Sequence, residues 1–103
     1  MGTLFYGTER VPVDVDDRAL VHLQLAMVTK LRRHEGFAFS WRDENTSGQG
    51  RHTVWVHEST PLHFAYAGSR TPVINRAWVD ALLATATTTP GMRLVDEPTD
   101  RAT

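Results

Sequence analysis

The chain holds 103 residues, 41% of them apolar and 22% charged, with a formal net charge of −1; this fits one globular domain and gives no bulk attraction to nucleic acid or to an anionic membrane. The absence of cysteine excludes disulfides, thiolate nucleophiles and thiolate zinc sites together. No apolar run approaches the length of a membrane span, and the opening MGTLFYGTER lacks the basic start and apolar core of a signal peptide, so the expected location is the cytoplasm.

Residues 4–6 and 11–15 read as short strands around Gly7-Thr8-Glu9, the second alternating Val11, Val13 and Val15 against Pro12 and Asp14. Pro12 has no N–H for a ladder, which suits an edge strand or a bulge. Asp16 is positioned as a helix cap, with Val15 and Leu20 as its hydrophobic staple, and Leu20, Leu23, Met27, Val28 and Leu31 follow helical spacing. Lys30, Arg32, Arg33 and His34 suit the negative end of the helix dipole, and Gly36 is the expected stop. Residues 37–42 form a strand with Phe37, Phe39 and Trp41 on one face, followed by a polar loop over residues 43–50, DENTSGQG.

Residues 52–58 and 62–67 are expected to pair as a hairpin through Ser59-Thr60-Pro61. Trp55, His57, Leu62, Phe64 and Tyr66 would then share one face, and Val54, Val56, Ala65 and Ala67 the other. Asn75 caps a second helix with Trp78, Val79, Leu82 and Leu83 inward; Thr87-Thr88-Thr89 weaken it and Pro90-Gly91 end it. Residues 92–95 make a last strand. The expected domain is 1–97, with 98–103 a loose tail.

An internal echo runs through this order. LFYGTERVPV (residues 4–13) returns as FAYAGSRTPV (residues 64–73), so that Tyr6, Arg10, Pro12 and Val13 recur sixty positions on as Tyr66, Arg70, Pro72 and Val73. The expected fold class is α+β in the order ββαβ–ββαβ, with one mostly antiparallel sheet and two helices packed on one face.

Chemistry-bearing motifs are few. His57 and His63 flank the expected hairpin turn beside Glu58, but alternation sends them to opposite faces, and no metal site is expected. Ser40 and Ser59 lack a nucleophile elbow, and Asp14, Asp16 and Asp17 are explained by helix capping. No catalytic residue and no cofactor are expected. The basic residues Lys30, Arg32, Arg33, Arg42, Arg51 and Arg70, with the tryptophans, are the candidates for contact with a partner or with nucleic acid.

Taken together, LFYG, DDRALVHLQ, KLRRHEGFAFSW, GRHTVWVHESTPLHFAYAGSR, INRAWVDAL and GMRLVDEP resemble a family of small actinobacterial proteins of about this length with no established activity. Members of that family often carry the label ATP-dependent DNA ligase. A ligase needs a lysine nucleophile in a K-x-D-G setting, whereas the only lysine here, Lys30, precedes Leu31-Arg32-Arg33. The resemblance implies a stand-alone small domain and carries over no functional residues.

The functional expectation is a non-enzymatic interaction domain that binds a protein partner and forms a homodimer, with an accessory nucleic-acid-binding role as the alternative. Two helices cover one face of a sheet that is apolar on both. The small aliphatic face Val54, Val56, Ala65 and Ala67 is therefore the expected dimer surface.

Overall fold

The computed structural model describes residues 1–43 and 50–99. The elements run β1 (Gly2–Tyr6), β2 (Val11–Val15), α1 (Asp17–Arg32), β3 (Phe37–Arg42), β4 (Arg51–Val56), β5 (Leu62–Ala65), α2 (Arg76–Thr85) and β6 (Met92–Arg93). The class is α+β and the order is the expected one. The sheet is not: the strands divide into two three-stranded sheets, β2-β1-β5 and β4-β3-β6. All pairings are antiparallel except β3 with β6.

The expected hairpin between residues 52–58 and 62–67 does not form. β4 pairs instead with β3, Phe37 opposite Val56 through Arg42 opposite Arg51, and β5 pairs with β1, Leu4 opposite Phe64. The chain leaves the second sheet through a tight turn. The Thr60 N–H donates to the His57 carbonyl, the His57 N–H to Thr60 Oγ1, and the Ser59 N–H to His57 Nδ1. Pro61 has no N–H to give a hairpin ladder beside that turn, and its carbonyl accepts from the Gly7 N–H in the turn between β1 and β2 at 2.9 Å.

One core joins the two sheets. Leu4, Val13 and Val15 come from the first, Phe37, Phe39, Val56 and Met92 from the second, and Leu20, Leu23, Met27, Trp78, Val79 and Leu82 from the helices, which pack on each other. Each such side chain contributes about 1.5–3 kcal/mol on burial. The alternation read within β4 is right, but its inner face closes on the core of the same chain. Val56 is 0% exposed and Val54 packs against that core. Val54, Val56, Ala65 and Ala67 therefore do not form an open face for a second copy, because β4 and β5 belong to different sheets and Ala67 lies beyond the end of β5.

Both helix starts are as read: Asp16 Oδ1 accepts from Arg18 N–H, and Asn75 Oδ1 from Ala77 N–H. The stop of α1 falls elsewhere. The Glu35 N–H reaches the Lys30 carbonyl and the His34 N–H the Leu31 carbonyl, a Schellman closure with His34, not Gly36, in the left-handed region at φ 60. Gly36 is small for a packing reason: a Cβ there would lie 2.7 Å from Trp55 Cζ2. Gly91, at φ 85, brings the backbone against β3, where a Cβ would sit 2.3 Å from the Ala38 carbonyl oxygen.

The C-terminal segment is tied down as far as Pro98. Arg18 forms a two-bond fork with Glu97 and also donates to the Val73 carbonyl. Asn75 Nδ2 donates to Glu97 and to the Pro98 carbonyl, and Trp78 Nε1 to the Val95 carbonyl. The end of the expected tail, residues 100–103, lies outside the described residues, as do residues 44–49 of the expected loop. The echo pairs Leu4 with Phe64 across β1 and β5. Its second halves differ, since residues 71–75 form no strand equivalent to β2.

Candidate interaction surface

Pleating gives the second sheet two unlike faces. Phe37, Phe39, Trp41, Val54 and Val56 point one way with Met92, into or beside the core. Ala38, Ser40 and Arg42 of β3, Arg51, Thr53 and Trp55 of β4, and Arg93 of β6 share the outer face. None of these outer strand positions is acidic. No helix residue is needed to build this surface.

Arg42 and Arg51 are directly opposed. The Asp43 N–H donates to the Gly50 carbonyl at 2.7 Å, so residues 43 and 50 form a hydrogen-bonded pair. By alternation, Arg42 and Arg51 then form a non-hydrogen-bonded pair, in which side chains are closest. Two like charges so placed oppose the pairing they sit on. Neither makes an ion pair among the described residues. Arg93 stands opposite Ser40 on the other side of β3, its guanidinium 3.5 Å from Thr88 Oγ1.

At the far end of the same face, Trp55 is 58% exposed. Its indole edge, Cζ2, Cε2 and Nε1, lies against Gly36, and its carbonyl accepts from the Tyr6 hydroxyl at 2.6 Å. The ring is thus held at one edge and open to solvent. Between Trp55 and the arginines, Ser40 Oγ donates to the Pro90 carbonyl at 2.6 Å and stands 2.8 Å from Thr53 Oγ1. Ser40 has spent its proton, so the Thr53 hydroxyl donates to it, and neither keeps a donor for a ligand.

The six sequence candidates do not form one continuous group. Arg42 and Arg51 meet on the sheet. Lys30 bonds Glu35 at 2.9 Å with its side chain only 15% exposed. Arg32 and Arg33 are exposed at the end of α1, which leads into β3 at its Trp55 end. Arg70 lines a separate recess of about 310 Å3 with Val21, Gln24, Tyr66 and Pro72. There the Tyr66 hydroxyl donates to Gln24, and burial pushes its phenol up from the usual value. Arg93 was not among the candidates. Its signal was available only through the parallel register of β6 on β3, which no local pattern announces.

The histidines are spread through the fold. His22 is buried, donates from Nδ1 to the Arg18 carbonyl at 2.7 Å, accepts at Nε2 from the Asn75 N–H at 2.8 Å, and lies tilted against the Trp78 ring. His57 shapes its turn, whereas His63 lies tilted against the Phe5 ring of the first sheet, so the two do not converge. His34 pairs with Glu58 at 3.0 Å, and His52 stacks on Trp41. Among the described residues no three His, Asp or Glu side chains are grouped for a metal, and no helix is long and apolar enough to cross a membrane.

The fold and this surface describe a small α+β domain with one core and an open, basic-aromatic sheet face. The chain belongs to the family described as a domain of unknown function, DUF7882, which matches residues 1–97. No curated protein and no solved structure matches it.

Proposed function

We propose that this protein is a non-enzymatic interaction domain whose contact surface is the outer face of the second sheet. The observation that carries the reading is the opposed pair Arg42–Arg51 beside an exposed Trp55. A like-charge pair at the closest cross-strand position weakens the sheet unless something anionic covers it. Tryptophan and arginine are also the residues most often responsible for binding energy at interfaces. The histidines support a non-catalytic reading, since each is engaged by a turn, a neighbouring ring, a carboxylate or the core.

Self-association belongs to the same reading with a different geometry from the aliphatic face. The alternation that opposes Arg42 and Arg51 turns the N–H and carbonyl groups of Arg51 and Thr53 away from β3, and both residues are exposed. A second β4 can add there antiparallel, with Arg51 opposite Thr53 of the other copy. A photoreactive side chain introduced at Thr53 tests the surface: adducts are expected from Thr53 and none from Asp80 on the exposed side of α2. Mass spectrometry then identifies the captured molecule as a second copy or another partner. Equal adducts at both positions, or none at Thr53, overturn the reading.

A further inference from the structure

We propose that the ligand of this sheet face is single-stranded nucleic acid, held without sequence preference by Arg42, Arg51 and Arg93 on its phosphates and by one base stacked on Trp55. The inference rests on the reading of this face as the contact surface and names its occupant.

The chemistry of the face selects the ligand. Two guanidiniums meet at one end, a third stands on the neighbouring strand opposite Ser40, and an aromatic plane stands at the other end. Arg51 and Trp55 are four residues apart on one strand, roughly 13 Å at the rise of an extended chain, a span that a single strand covers in a few nucleotides. A ligand that alternates negative charge with flat rings meets both ends at once. An acidic polypeptide satisfies the arginines and leaves the indole without a stacking partner. A duplex keeps its bases stacked on one another and away from Trp55.

The absence of sequence preference follows from the hydroxyls. The Ser40 and Thr53 protons are both committed, one to the Pro90 carbonyl and one to Ser40 itself. These two hydroxyls therefore offer no donor to read a base edge, and phosphate contact by arginine with stacking is tolerant of every base. The net charge of −1 makes the attraction local to this patch, so binding should be weak and strongly salt-dependent. Gly36 acts as a positioning residue. It touches no ligand, but its missing side chain is what lets the indole lie where it does.

The test uses the full chain and fluorescence anisotropy with labelled oligothymidylate, oligoadenylate, a duplex and a polyglutamate peptide. The two single strands should bind within a few-fold of each other at low salt, and the duplex and peptide more weakly. Trp55→Ala should weaken single-strand binding about tenfold, and Trp55→Phe less. Arg42→Ala with Arg51→Ala should lower the slope of log affinity against log salt by about 1.4. Gly36→Ala should weaken binding with an unchanged salt slope and a shifted tryptophan emission, which a loss of charge does not produce. These positions other than Gly36 are exposed, and circular dichroism confirms that each variant is folded. No single-strand binding at low salt, or binding unaltered in both the Trp55 and the arginine variants, overturns the proposal. Peptide or duplex binding that is lost in the same variants while single strands fail to bind overturns the nucleic-acid assignment and leaves the contact surface standing. No probe binding, together with no adducts at Thr53, removes both.

Discussion

His34 carries a backbone cost that a glycine would not. It closes α1 with φ at 60, a region where a β-carbon crowds the chain. In exchange its ring meets Glu58 at 3.0 Å, but both side chains are largely exposed, and an exposed pair of this kind contributes little. His34→Gly should therefore raise unfolding stability by about 0.5 kcal/mol, the strain relieved less the added freedom of the unfolded chain. Urea unfolding at neutral pH measures it. A loss of stability would mean that the Glu58 contact, which ties α1 to the turn after β4, outweighs the strain. Residue type alone pointed to Gly36 as the stop, because glycine is the usual occupant of a helix end. What Gly36 accommodates is Trp55, nineteen positions away in the chain, and no local rule identifies such a neighbour.

The β3–β4 pair is the element where binding and stability are opposed. Arg51→Thr removes one of two facing guanidiniums and adds a β-branched residue suited to a strand, so the folded state should gain about 0.2–1 kcal/mol. The gain should be larger at low salt, where like charges are least screened. Denaturation at two ionic strengths checks both statements; an unchanged or lowered stability would deny that the pair is held at a cost. The same strands explain why the hairpin expected between β4 and β5 was attractive. Each shows a clean period of two, and the turn between them is short. Periodicity assigns faces to a strand but not neighbours, and here β4 takes β3 as its neighbour.

Across the whole molecule, the ends of the fold are held by a carboxylate. Glu97 accepts from the Arg18 guanidinium and from Asn75, and these bonds hold its carboxyl at about 2 against an ordinary value of 4.5. The ionised form is thus favoured by folding. Its contribution is complete above about pH 4.5 and disappears as the pH falls toward 2. Asp17, lowered by the Gly68 and Ala67 N–H groups, and Glu35, lowered by Lys30, act in the same direction. Acid should therefore destabilise the protein across that window. Glu97→Gln should be less stable than the parent at neutral pH and should converge with it near pH 2, as followed by urea midpoints at a series of pH values. Parallel curves for the two proteins would show that the fork carries no pH-dependent stability.

The sequence by itself determined the class, the order of all eight elements, both helix caps and the inward stripes of both helices. These are local: a cap needs a side chain within two residues of its N–H, and an apolar stripe needs only the pitch of the helix. It also marked Arg42 and Arg51 as candidates, because arginines flanking a polar loop stand out in one dimension. The tertiary structure alone decided that the strands form two sheets, that Val56 closes a core instead of opening a dimer face, and that Arg93 joins Arg42 and Arg51 beside an exposed Trp55. Strand pairing depends on contacts between residues distant in the chain, chosen by how the whole core closes. Which side of a strand meets solvent follows from that choice.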